Sequence, residues 1–231
     1  MNEHTNHRQR LKNRFISQGL SGFDDHQILE LLLFYAIPRI DTNPIAHRLL
    51  NEFGSLNGVL SAPYEKLILV EGVGEGAATF LKLLMEFDRK LGLEKIPQKE
   101  GFNNLDKVGK YLINLYKGEN SEKAYLLCFN GKMELIKTVL LSTGTTSATS
   151  IPLRTIVENT FESSAAAIIL AHNHPTGYCT PSESDLYMTE QLRFFTNALQ
   201  INFLEHIVVA DNKFFPIVAS TQKIPKETFK I

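Results

Sequence analysis

Seven apolar residues, Ala165-Ala-Ala-Ile-Ile-Leu-Ala171, run directly into His172-Asn-His174-Pro-Thr-Gly-Tyr-Cys-Thr-Pro-Ser182-Glu-Ser-Asp185. A short apolar stretch with β-branched members reads as a buried strand. Pro175, Gly177 and Pro181 then force a loop, and Ser182 opens an amphipathic helix. Strand, loop and helix together gather two imidazoles, a hydroxyl and a carboxylate at one junction, where α/β sheets commonly place their sites.

His172 and His174 are two residues apart, so on an extended segment both side chains take the same face. Asp185 falls one turn into the following helix. Two imidazoles and a carboxylate form a hard-to-borderline ligand set that suits Zn²⁺ and leaves a fourth position for water. The bland alternative makes the histidines turn residues and Asp185 a solvated first-turn acid. Two histidines on one face at a strand end, with a carboxylate on the returning helix, favour the metal.

The pattern His-x-His-Pro-x-x-x-x-x-x-Ser-x-x-Asp resembles the metal-binding signature of the JAMM (MPN/JAB) metalloprotease fold. Its fuller form, His-Asn-His-Pro-[Ser/Thr]-Gly-x-x-x-Pro-Ser-x-x-Asp, resembles that of the RadC family, and every fixed position is matched. Leu140-Leu-Ser-Thr-Gly-Thr145, Pro152-Leu-Arg154 and His206-Ile-Val-Val209 are similar to further family segments, so the likeness runs from about residue 20 to 218. It implies a zinc ion held by His172, His174 and Asp185. It also implies an upstream glutamate near a strand start as general acid/base, and by position that is Glu122, which heads the run Ala124-Tyr-Leu-Leu-Cys-Phe129. The chemistry needs such a group, because a proton must be collected from water and delivered to the leaving amine. Glu134, in a turn between two strands, is the rival. Ser182 matches the family serine that donates to the developing oxyanion; its structural role is an N-cap with Asp185 three residues on.

The implied fold is α+β: an all-helical, helix-hairpin-helix-like domain followed by a mixed-sheet MPN/JAMM (cytidine-deaminase-like) α/β domain. At 231 residues two modest domains are the natural expectation. Residues 1–93 read as helical, 94–104 as a linker and 105–231 as the metal-binding domain. Within the last, helices are expected at 105–116, 153–163 and 182–199. Strands are expected at 123–130, 134–142, 165–171, 202–210 and 213–218. The basic N-terminal dozen and the tail from Lys223 read as loose ends.

Leu69-Val-Glu-Gly72-Val-Gly74-Glu-Gly-Ala77 resembles a helix-hairpin-helix, whose backbone N–H groups can meet a DNA phosphate. Binding phosphates needs positive charge. Residues 1–100 carry 12 Lys/Arg against 13 Asp/Glu, a net of −1, and Glu71 and Glu75 bracket the hairpin. Any DNA affinity through this domain is therefore expected to be weak. No apolar run approaches the roughly 18 residues that span a bilayer, and the first twenty residues lack the apolar core of a signal peptide. Two cysteines give no disulfide framework and point to the reducing cytoplasm.

Cys128 reads as core, and Cys179 as a loop side chain turned from the metal. His206 reads as a hydrogen-bonded core histidine in preference to a partner that orients a metal ligand, Arg154 as a surface or capping arginine, and Asn173 as a tie to the loop backbone. His4, His7, His26 and His47 have no ligand-like spacing. The His-x-Glu and Pro-Cys-x-x-Cys of zinc nucleobase deaminases are absent. Three functions follow: a zinc-dependent amide or isopeptide hydrolase acting on a protein or peptide, a DNA-associated protein in the sense of the family's DNA-repair label, or a metal-containing scaffold. An intact ligand set favours the first.

Overall fold

The computed structural model describes residues 3–96, 101–144, 151–175 and 177–222. By contacts the chain divides into two units, Met1–Asp88 and Arg89–Ile231. It is α+β, with helices throughout the first unit and a five-stranded mixed sheet in the second.

The first unit holds α1 (Glu3–Gln18), α2 (Asp25–Ala36), α3 (Asn43–Phe53), α4 (Leu56–Ser61), α5 (Tyr64–Leu67) and most of α6 (Glu75–Glu94). Its core gathers Leu29, Leu33, Leu49, Val59, Leu67, Ala78 and Leu81. From Glu3 onward the N-terminal dozen is not a loose end. It forms most of α1 because Leu11 buries against Leu31 and Phe34, and because Arg8 and His7 find acceptors. The Arg8 guanidinium donates to the Ile37 carbonyl at 2.8 Å, and the His7 ring pairs with Glu30 at 2.8 Å. Between α5 and α6 the chain turns at Gly72, whose φ is +91°. A Cβ there would stand 2.8 Å from Ile45 Cδ1, so both conformation and space require glycine.

The second unit contains α7 (Leu105–Leu115), β1 (Lys123–Phe129), β2 (Leu135–Thr143), α8 (Leu153–Glu162), β3 (Ala167–Asn173), α9 (Glu183–Ala198), β4 (Asn202–Ala210), β5 (Lys213–Pro216) and α10 (Ile217–Gln222). The sheet order is β2-β1-β3-β4-β5. Only β3 and β4 are parallel, as the helical crossover through α9 demands. The β1–β2 and β4–β5 pairs are antiparallel hairpins. Alternate residues feed two cores. Leu127, Phe129, Ile169, Ala171, Ile207 and Val209 pack with α7 on one face. Ala124, Leu126, Cys128, Ile168 and Leu170 pack with Ile156 of α8 and with Met188 and Leu192 of α9 on the other. Covered on both sides, β3 is buried along its whole length, which is why its sequence is a continuous apolar run rather than an alternation.

Three boundaries differ from the sequence reading. The 94–104 segment is not a free linker where it is described: Leu93 and Ile96 pack on the α7-side core, Phe102 is fully buried, and the Phe102 N–H donates to the Met133 carbonyl at 2.7 Å. Residues 97–100 of that segment, and the tail from Lys223, lie outside the described residues. The third strand lies two residues later than expected, so His172 is itself strand, paired with Ala124 on β1 and Val208 on β4. The last strand stops at Pro216, and Ile217 onward is helical.

Candidate metal centre

His172 is the penultimate residue of β3. With Leu170 and Ile168 it takes the face covered by α9. His174 begins the loop, where its N–H donates to the Val209 carbonyl at 2.8 Å and ties the loop to β4. Its Nδ1 stands 2.8 Å from the Tyr178 carbonyl. Ser182 caps α9 and forms a reciprocal box with Asp185, which brings that carboxylate back under the histidines. The three side chains meet. The Nε2 atoms of His172 and His174 are 3.0 Å apart, His172 Nε2 is 3.3 Å from Asp185 Oδ1, and His174 Nε2 is 3.6 Å from Asp185 Oδ2. His172 and Asp185 are buried, while the His174 side chain is 18% exposed and marks the open side.

Two imidazole nitrogens and a carboxylate fit a divalent ion of the zinc type. Tetrahedral ligands about 2.0–2.1 Å from zinc stand roughly 3.3 Å from one another, and the observed separations bracket that value. Among the described residues this trio is a group able to hold a metal.

Burial alone would raise the Asp185 carboxyl, but the neighbouring His172 and His174 rings and the Ser182 hydroxyl outweigh it and hold the group well below the usual carboxylate range. The same contact with Asp185 raises His174. Behind His172 lies His206, whose place follows from an irregularity in the β3–β4 pairing. The register passes from Ile168↔Phe203 to Ile169↔Glu205, which sets His206 beside Leu170 and so on the α9 face. His172 Nδ1 is 2.9 Å from His206 Nε2, and His206 Nδ1 is 2.7 Å from the Thr189 hydroxyl. Burial, and then the neighbouring His172, hold His206 far below the usual imidazole range, so it is neutral. It is the hydrogen-bonded core histidine read from the sequence, and it also touches a candidate ligand.

Glu122 immediately precedes β1, two residues before the Ala124 that pairs with His172. Burial raises its carboxyl, while the charges of His172 and His174 act to lower it and that of Asp185 to raise it; the net effect is upward. Glu134 lies past the other end of β1, beyond the Phe129↔Ala167 pair, where it accepts a hydrogen bond from Asn130 at 2.7 Å. Seven strand residues at about 3.3 Å each separate the two glutamates' ends of the strand.

The Asn173 side chain ties the segment ahead of β1 rather than the metal loop. Its amide accepts from the Lys123 N–H at 2.7 Å and donates to the Ser121 carbonyl at 3.1 Å, bracketing Glu122 from both sides. Sequence reading missed this clamp, because nothing in the spacing of residues 121–123 and 173 announces their contact. It also passed over Thr189, although the interval of four from Asp185 puts both on one helical face. Ser182 is exposed and donates to Asp185 Oδ2 at 2.6 Å. Cys179 is turned from the trio, with its thiol against the Ala210 carbonyl at 3.7 Å and raised by burial. Arg154 is a surface residue paired with Glu158. His26 stacks on His47, far in sequence from the trio, and the His4 side chain is outside what is described.

Residues 102–222 match the family model of the RadC-like JAB domain. The chain belongs to the RadC-like JAB family. The match takes in β1 to α10 and hence the whole candidate centre. The chain is also similar, at 38% identity over 90% of its length and 93% of the relative's, to a UPF0758 protein of Fusobacterium nucleatum. UPF0758 proteins of Ruegeria pomeroyi and Rhodobacter capsulatus are each 34% identical over 88% of this chain, and 91% and 95% of their own lengths are covered. The likeness to these relatives therefore extends beyond the JAB domain into the helical unit. No helix among the described residues is long and apolar enough to cross a membrane.

Proposed function

We propose that this RadC-like chain is a zinc-dependent hydrolase that cleaves an amide or isopeptide bond in a protein or peptide. The observation that carries the reading is the meeting of His172 Nε2, His174 Nε2 and the Asp185 carboxylate, all within 4.8 Å of one another, in the field of Glu122. Those three side chains would hold zinc, which supplies Lewis acidity and brings the pKa of water down to about 7.

Glu122 acts as the general acid/base. Burial lifts its carboxyl towards the working pH, where proton transfer is most efficient. It takes the proton from the attacking water and hands it to the leaving amine, so no proton is lost between the two halves of the reaction. The Asn173 clamp on residues 121 and 123 fixes where that carboxylate can reach. Ser182, exposed at the mouth of the site, turns its hydroxyl from Asp185 to the developing oxyanion. His174, the most accessible of the trio, faces the side from which substrate arrives.

Two free thiols among the described residues fit a reducing compartment, and the cytoplasm is the expected location. A DNA-associated role through the α5–α6 hairpin is the second reading. It is weakened by exposed Glu71 and Glu75 at the turn where phosphate would dock.

The test is a screen of peptide and isopeptide reporters with the protein as purified, after chelation, and after chelation followed by zinc. Turnover should vanish on chelation and return with zinc. Turnover that survives complete metal removal contradicts the reading.

A further inference from the structure

We propose that Thr189 and His206 are positioning residues that hold His172 in its Nδ1–H tautomer and thereby keep its Nε2 lone pair directed at the metal position. The inference rests on the zinc reading above for its purpose, though its structural content stands on hydrogen bonds alone.

The chain of contacts begins at a backbone carbonyl. The Thr189 hydroxyl lies 2.6 Å from the Asp185 carbonyl oxygen, one turn back on α9. A carbonyl can only accept, so an oxygen–oxygen approach this short requires the hydroxyl proton to lie between them. Having spent its one proton, the same hydroxyl can only accept from its other neighbour, His206 Nδ1 at 2.7 Å. His206 therefore carries its proton on Nδ1. A neutral imidazole has one N–H, which makes His206 Nε2 an acceptor. The group facing that nitrogen at 2.9 Å is His172 Nδ1, which must donate. His172 then has its proton on Nδ1 and a bare lone pair on Nε2.

His174, in its neutral form, reaches the same state by a shorter route, since its Nδ1 stands 2.8 Å from the Tyr178 carbonyl and must donate to it. Two lone pairs then face each other across 3.0 Å. That arrangement is repulsive with nothing between, and is what a cation requires. The opposite proton order would have Thr189 donate to His206, His206 Nε2–H donate to His172, and His172 present an N–H to Asp185. It would leave two acceptor oxygens 2.6 Å apart with no proton between them. A ligand histidine commonly donates its second N–H to a carbonyl or carboxylate. Here the acceptor is a histidine, which can serve only if a third group fixes its own tautomer. Thr189 is that group.

The test uses the full chain, ¹⁵N-labelled on histidine, with ring signals assigned through single His→Gln variants. Long-range ¹H–¹⁵N spectra of the metal-free protein should show His206 and His172 as Nδ1–H tautomers. Zinc dissociation constants follow from chelator competition. Thr189→Val keeps the branched shape and removes the hydroxyl. It should abolish the pure Nδ1–H signature of His206 and weaken zinc by roughly ten- to a hundredfold, the scale on which such outer partners act. Thr189→Ser restores a hydroxyl and should recover both. An Nε2–H tautomer at His206 in the metal-free wild type overturns the inference. So does a Thr189→Val protein with unchanged His206 signals and wild-type zinc affinity. The tautomer spectra decide the relay even if wild-type protein takes up no zinc, an outcome that would instead overturn the proposed function.

Discussion

Glu122 and Glu134 are chemically identical and lie at opposite ends of one strand, and it is the Glu122 end that pairs with His172, through Ala124. Glu122→Gln removes the proton acceptor while keeping size and hydrogen-bonding capacity. It should retain zinc and lower turnover by roughly a hundredfold or more, the usual scale of general acid–base catalysis. Glu134→Gln should match wild type, because its side chain serves the Asn130 turn. The pH profile follows from the upward shift at Glu122. The base must be deprotonated, so kcat/KM should rise with pH through a value above the ordinary 4.5 of glutamate. An acidic limb at or below 4.5 would assign the role elsewhere. At this scale the trio was fully legible, since a fixed spacing of side chains on a strand and a helix start survives any detail of packing. The Asn173 clamp and the Thr189–His206 contacts were not. They join β1 to β3 and α9 to β4, and such contacts exist only once the sheet has formed.

The strand–loop–helix unit that carries the trio was legible because period, breakers and cap all agree. Its boundary was not. An apolar run ends by composition at Ala171, but the β3 ladder continues to Asn173 because β1 and β4 both still offer partners there. The helix α10 was missed for a related reason. Glu205, read as one residue of a strand, is buried and accepts N–H bonds from His206 at 2.8 Å, Val218 at 2.6 Å and Ala219 at 3.0 Å. It holds the first turn of α10 against β4, a tertiary contact that local sequence does not encode. Glu205→Gln leaves one acceptor oxygen and sets an NH₂ group against at least one of those N–H donors. It should cost about 1–3 kcal/mol, the price of an unsatisfied buried donor, read as a lower urea midpoint with unchanged slope. A midpoint equal to wild type would show that the carboxylate contributes nothing to docking α10.

At the scale of the whole molecule, the two-part organisation was read from a change of period, and the fold class agrees with it. The boundary was misplaced because Pro and Gly content suggested a linker where Phe102 in fact anchors against Phe129 and Tyr111. Charge is the one whole-chain property that bears on partners. With a net charge of −1 and acids at its hairpin, the full chain should bind duplex DNA weakly and lose that binding between low and physiological salt. Salt-resistant submicromolar binding would promote the DNA-associated reading. The claim on which the rest depends is the metal. The most direct measurement is elemental analysis of the purified full chain beside His174→Ala and the double variant His172→Ala, His174→Ala, with circular dichroism as the check on folding. Wild type should carry one zinc per chain. Both variants should lose it while keeping the fold, because the two apolar cores flanking the sheet, not the trio, carry most of the stability. A folded double variant that retains stoichiometric zinc, or a wild type that takes up none even when zinc is supplied, would contradict the account.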